Sequence, residues 1–322
     1  MRHLQIRIAA LGLALVLPAL AMAQPASCDA SWTDASRGRA VPVRIRMPDG
    51  HGKAPVILFS HGLGGSLDGG TNWAEAWRAA GFVVVNLQHP GSDSEVLRSG
   101  RAGLRAAASP PQLLARVADV RFVLDELARR AAQPPWSRVR QDAIGLGGHS
   151  FGAHTVQALA GQRYALPGSL ADARLQAFVA LSPSPGLGGL SLAQQFGGIE
   201  RPFLAVTGSL DDDPLGRDAA ARLDGARRAQ VYDGLPSGKR ALLWLDGADH
   251  MTFAGNAQQP IRWAGARGAR EATTLEREPD QQRTVARVTA IWWLRWLTDD
   301  RFAQMALYGR MGLGTGERWR FD

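Results

Sequence analysis

The chain of 322 residues has a single cysteine, Cys28, so it cannot close an intramolecular disulfide even in an oxidising compartment. Its stability must therefore come from a packed core. Lysine is scarce as well, standing only at Lys53 and Lys239, so arginine supplies nearly all of the +8 formal charge. No residue spacing suits a zinc ion, and no P-loop is present, so neither a metal nor an organic cofactor is implied. The arginines form no basic block and no stripe interleaved with aromatics. They are scattered or sit beside acids, as from Arg116 to Arg130, which reads as a solvated surface rather than a nucleic-acid face.

Long apolar runs are also missing, except at the very start. Arg2 and Arg7 precede the apolar stretch Ile8 to Leu20, and Ala21-Met22-Ala23 follows as an A-x-A cleavage signal. That three-part pattern is a secretory signal peptide, too short in its apolar part to span a bilayer. Residues 1–23 are thus expected to be removed, leaving 24–322 as one domain, periplasmic or secreted, without stable membrane insertion. Pro25-Ala26-Ser27 is a poor lead-in for lipid attachment at Cys28.

What remains is long enough for one large α/β domain. Short β-rich runs alternate with helical stretches, the sign of a mostly parallel, doubly wound sheet. Strands are expected at Val41–Met47, Val56–Ser60, Phe82–Leu87, Ala143–Gly147, Ala177–Ser182, Phe203–Thr207 and Ala241–Leu245. Helices are expected at Trp73–Ala80, Gln112–Ala132, Gly152–Ala160, Asp218–Ala226 and Gln281–Leu297. The last should bury Val285, Val288, Ile291, Trp292 and Trp296 on one apolar face. Two segments, Pro90–Pro111 and Gly255–Asp280, break the rhythm and read as loops on the rim of a site. Pro183–Arg201 is too short and glycine-rich for a large lid domain.

The chemistry concentrates in a few places. Gly148-His149-Ser150-Phe151-Gly152 follows the apolar strand and opens a helix, the strand–turn–helix context of a nucleophile elbow. Ser60-His61-Gly62-Leu63-Gly64-Gly65 follows an early strand, where acyl transfer needs a second backbone donor for the oxyanion. Leu63 and Phe151 are the expected donors. Of the seven histidines, only His154 and His250 follow Ser150. His154 lies one turn into the helix, whereas His250 follows the last expected strand and is the expected base. The acid is sought in Gly208-Ser209-Leu210-Asp211-Asp212-Asp213, with Asp211 favoured over Asp213. Asp246 and Asp249 suit local turn bonds better.

With these residues in place, the chain resembles the α/β-hydrolase superfamily across almost all of its mature length. The H-G-L-G loop at His61–Gly64, paired with the elbow at Gly148–Gly152, is similar to platelet-activating-factor acetylhydrolases and bacterial dienelactone-hydrolase-like serine esterases. His89-Pro90-Gly91-Ser92-Asp93 fits the bacterial group as well. The resemblance implies an α/β-hydrolase fold, oxyanion donors at Leu63 and Phe151, and hydrolysis of small or polymeric carboxylic esters, while the lack of room for a lid at Pro183–Arg201 favours short acyl chains. Three departures stand out. The acetylhydrolases place their acid where this chain has Ser182-Pro183-Ser184-Pro185, so the acid moves to Asp211. True dienelactone hydrolases use a cysteine nucleophile, for which none is available. Cutinases and polyester hydrolases usually carry methionine where Phe151 stands.

Overall fold

The computed structural model describes residues 27–165, 168–186, 189–213, 223–256, 272–309 and 311–322. The expected signal peptide lies outside them, as do residues 257–271 of the expected second rim loop.

A nine-stranded sheet runs through the protein in the order β1-β2-β4-β3-β5-β6-β7-β8-β9. In chain order the strands are β1 (Cys28–Asp34), β2 (Arg39–Arg46), β3 (Ala54–Ser60), β4 (Val83–Leu87) and β5 (Val139–His149), followed by β6 (Leu175–Leu181), β7 (Phe203–Leu210), β8 (Arg240–Asp249) and β9 (Glu317–Phe321). The stretch from β4 through β8 is parallel, while β1, β2 and β9 are antiparallel to their neighbours. β3 and β4 are buried at every position, as strands covered on both faces must be.

Alternate residues of β3 point into two separate cores. Val56 and Leu58 join a cluster with Val117, Val120 and Leu124 of α3 (Pro110–Arg129), Val156 of α4 (Phe151–Ala160) and Val231 of α6 (Gly225–Gly234). Ile57 and Phe59 join Trp73 and Trp77 of α1 (Thr71–Ala79) and Val285, Val288, Trp292 and Trp293 of α7 (Ala272–Thr298). The result is a three-layer α/β architecture. From β3 the chain crosses to β4 on one side, and from β4 it returns to β5 on the other side of β3. Ligands in such sheets bind beyond the strand carboxyl ends where the winding reverses, here between β3 and β5.

Several expectations are corrected in detail. Both outermost strands, β1 and β9, carry no apolar run in the sequence because they bury few side chains. Pro90–Pro111 is no irregular loop: it holds a 3₁₀ segment at Ser94–Ser99 and α2 (Gly100–Ala107). That pair packs only Leu104 and Ala107 as fully buried apolar residues, too few to set up a periodic signal. Most of the helix expected at Asp218–Ala226 lies outside the described part, as residues 214–222 do; α6 starts at Gly225, where the Asp224 carboxylate caps it by accepting from Arg227 N–H. α7 begins at Ala272 and carries Pro279 inside it, nine residues before the expected start. On that helix Ile291 and Trp296 are half-buried, and Trp293 is buried instead. The Trp293 ring fills the space over Gly145, where a Cβ would lie 2.6 Å from it. Short α5 (Leu192–Phe196) and α8 (Arg301–Tyr308) complete the helices. Among the described residues, no helix is long and apolar enough to cross a membrane.

Candidate active site

Ser150 sits between β5 and α4 with φ 55° and ψ −114°, a left-side backbone conformation that non-glycine residues rarely hold. Such strain persists only where the surroundings enforce it. Here they do so by close backbone approach. A Cβ on Gly152 would lie 1.9 Å from the Ser60 carbonyl oxygen, and one on Gly148 would lie 2.5 Å from the Gly152 oxygen. Both glycines are thus required for the end of β3 to pass under the start of α4. Gly152→Ala should cost on the order of 3 kcal/mol or more and lower Tm by roughly 5–10 °C. A thermal melt equal to wild type would contradict this packing account.

The turn brings Ser150 to His250, which begins a 3₁₀ segment directly after β8. The Ser150 hydroxyl lies 2.9 Å from His250 Nε2, and His250 Nδ1 lies 2.7 Å from Asp211 Oδ1. Nδ1 faces a carboxylate, so it carries the proton and donates it, leaving Nε2 to accept from the serine. Asp211 is completely buried at the end of β7. Its second oxygen accepts from the Thr207 hydroxyl at 2.8 Å. Burial pushes the Asp211 carboxyl up, but Arg228 and His250 outweigh that and hold it down at about 2. It is therefore an anion at any pH where a neutral imidazole could act.

The other acids weighed from the sequence are placed elsewhere. Asp249 caps the 3₁₀ segment by accepting from Thr252 N–H, Asp246 is exposed on the rim of β8, and Asp213 lines the cavity without reaching His250 in any described bond. His154 also lines the cavity, beside the ring of Phe151.

Leu63 and Phe151 face the same cavity as Ser150. Phe151 is the first residue of α4, where helix N–H groups have no acceptor within the helix. In the loop after β3, Gly64 N–H is taken by Ser92 O at 2.9 Å and Gly65 N–H by Gly62 O at 3.1 Å. Among the described hydrogen bonds, none takes the N–H of Leu63 or of Phe151. The loop crosses directly over the serine, because a Cβ on Gly62 would lie 3.5 Å from Ser150 Cβ. Gly64 needs its φ of 72°, and its missing side chain makes room for Leu97. The side chains of Leu63 and Phe151 are covered by Leu97, Leu104 and Ala107. The segment read as a loose rim is in fact the clamp over both residues.

The cavity has a volume of about 440 Å³. Its apolar wall is formed by Pro110, Leu113 and Leu114 at the start of α3, by Tyr164 and Leu170 beyond α4, and by Met251. Phe253, in contrast, is fully buried in the core below.

Not every arginine is a solvated one, and this corrects the reading from composition. Arg116 and Arg228 are both buried. Arg228 lies 3.0 Å from Asp211 Oδ1 and also donates to the carbonyl oxygens of Asp211, Ser182 and Pro183 and to Ser184 Oγ. It therefore ties the carboxylate to the segment after β6. Arg116 was legible in principle, since it falls on the same helical face as Val120, Val123 and Leu127.

The sequence also concealed a second Ser–His–Asp array. Ser60 Oγ lies 3.0 Å from His89 Nε2, and His89 Nδ1 lies 3.0 Å from Asp119 Oδ2. All three side chains are fully buried. Burial and the nearby Arg116 lower His89 to about 4, against the pull of Asp119. Ser60 ends an ordinary strand, is no part of the cavity wall, and has no path to a substrate. Distance alone does not separate the two arrays; access and the strained turn do.

No protein-family model matches the chain, and no curated protein matches it significantly. The functional reading therefore rests on the site itself.

Proposed function

We propose that the chain is a secreted serine esterase of the α/β-hydrolase type. The observation that carries this reading is His250 held between Ser150 and Asp211, at 2.9 and 2.7 Å, where a strained serine opens into an apolar cavity. The location beyond β3 and β5, at the reversal of the winding, supports it. Secretion rests on the pattern from Arg2 to Ala23.

In this mechanism His250 takes the Ser150 proton as Oγ attacks an ester carbonyl. Asp211 keeps the imidazole in the required tautomer and stabilises the imidazolium. The carbonyl oxygen, now an anion, is met by the N–H groups of Leu63 and Phe151. His250 then protonates the leaving alcohol. Water, activated by the same imidazole, releases the acid from Ser150.

The cavity walls bear on the substrate. Room of about 440 Å³ lies at the lower end of what drug-sized ligands occupy, and both halves of an ester must share it. Short acyl chains are therefore preferred. Each buried methylene adds at most about 0.8 kcal/mol, roughly fourfold, and nothing once the cavity is full. With p-nitrophenyl esters from acetate to palmitate, kcat/KM should peak between acetate and butyrate and fall by decanoate. A rise continuing to palmitate would replace this reading with that of a lipase. No hydrolysis of any ester, with no labelling by a fluorophosphonate, would replace it with that of a non-catalytic binding protein.

A further inference from the structure

Behind the loop that carries Leu63 lies a buried cation. Arg116, fully buried in the first turns of α3, donates to the His61 carbonyl oxygen at 2.6 Å and reaches the Gly62 carbonyl oxygen at 3.4 Å. Its Nε donates to Ser92 Oγ at 2.8 Å, so the guanidinium is braced against the strand-to-helix segment that also receives Gly64 N–H. Its other face lies under the ring of Phe151, 4.4 Å from the centroid. One side chain therefore touches the residues on both sides of the space above Ser150.

His61 works on the same peptide. Its Nε2 faces the backbone N–H of His89 at 3.0 Å, and a backbone N–H can only donate. Nε2 is thus the acceptor, Nδ1 carries the proton, and Nδ1 donates to the Gly62 carbonyl oxygen at 2.6 Å. The 3.4 Å approach of Arg116 Nη2 to that same Nδ1 is then a contact between two donors and not a hydrogen bond. The ring is buried, and a Cβ on Gly65 would come within 2.9 Å of its Nδ1, while one on Gly69 would come within 2.9 Å of the His61 Cβ.

A trans peptide is planar, and its C=O and N–H point in opposite directions. Three donors, His61 Nδ1 at 2.6 Å, Gly65 N–H at 3.1 Å and Arg116 Nη2 at 3.4 Å, hold the Gly62 oxygen on the protein side and turn the Leu63 N–H away from them, toward the other side of the peptide. We infer that Arg116 and His61 are positioning residues that pin the Gly62–Leu63 peptide so that the Leu63 N–H is preset to receive an oxyanion. This inference rests on the esterase reading of the cavity. Arg116 is outside the cavity wall, and His61, which lines it, has both ring nitrogens engaged with backbone groups. Their contribution is to remove the reorientation that a free glycine-rich loop would need in the transition state, which is where fixed donors gain their effect.

The expected signature is a fall in kcat with little change in KM, because a preset donor acts on the transition state and not on the ground-state ester. Arg116→Met, which keeps bulk but no donor, should lower kcat about 10²-fold with KM within about threefold, close to the loss of a whole oxyanion donor. Arg116→Lys, able to hold one carbonyl, should recover part of that loss. Fluorophosphonate labelling, which passes through a similar tetrahedral arrangement, should slow in parallel. The His61 pair gives an independent reading that does not depend on how the Arg116 variants fold. His61→Asn retains an N–H near the position of Nδ1, whereas His61→Gln retains an acceptor near Nε2. Per folded molecule, with folding followed by circular dichroism melts, the asparagine variant should turn over about tenfold faster than the glutamine variant.

The inference is overturned if folded Arg116→Met keeps kcat near wild type, or if His61→Gln equals or exceeds His61→Asn. A wild type that neither hydrolyses esters nor takes the fluorophosphonate would instead sink the esterase reading, and this inference with it. Active wild type with unaltered variants sinks the inference alone.

Discussion

Ser150→Ala is expected to lower ester hydrolysis by on the order of 10⁶-fold while leaving the melting temperature unchanged within a few degrees. The size follows from the role. Without Oγ there is no acyl-enzyme, and water would have to attack the bound ester directly, aided only by the Leu63 and Phe151 donors. The fold should not suffer, because the strain at φ 55° is enforced by the close packing of Gly148 and Gly152 and not by the hydroxyl. Removing Oγ loses one hydrogen bond to His250 at the edge of the cavity. The check is a stopped assay with p-nitrophenyl acetate beside a circular dichroism melt. Activity within tenfold of wild type would mean that the nucleophile lies elsewhere.

The second large effect is at Asp211. Asp211→Asn should reduce kcat about 10⁴-fold, because an amide can present its N–H to His250 Nδ1 and favour the tautomer that cannot accept the serine proton. Arg228 sharpens the result. Its guanidinium lies 3.0 Å from Asp211 Oδ1 and is buried with it, so the neutral amide also leaves a buried cation without its counter-charge. A loss of stability should accompany the loss of rate, unlike at Ser150. Asp212→Asn, on an exposed residue, should do little. Asp213→Asn provides the discriminating arm, since a severe loss there in place of Asp211 would shift the orienting acid by two residues.

The contrast between these acids shows how far local sequence determines the site. The elbow at Gly148–Gly152 and the loop at His61–Gly65 are local, and glycine spacing beside an apolar strand announces them. His250 followed from chain order. Asp211 and Asp213 could only be ranked, because the choice depends on a three-residue turn whose direction is set by Thr207, by the Gly208 carbonyl and by Arg228, seventeen residues away in sequence. The central strands were legible because they are continuous apolar runs. The edge strands β1 and β9 were not, since half their side chains face water. Arg116 and Arg228 were read as surface because composition averages over faces. Only their place on the apolar side of α3 and α6 marks them as buried. The second Ser–His–Asp array, from Ser60, His89 and Asp119, is a warning in the same vein. Its three residues are assembled from two strand ends and a helix with no motif between them, and it stands closed to any substrate.

That second array also sets the most direct test of the central claim. Wild-type protein treated with a fluorophosphonate and examined by intact mass and peptide mapping should gain one adduct, on the peptide containing Ser150, and Ser150→Ala should gain none. An unlabelled wild type, or an adduct that maps to Ser60 or to any other residue, would contradict the account.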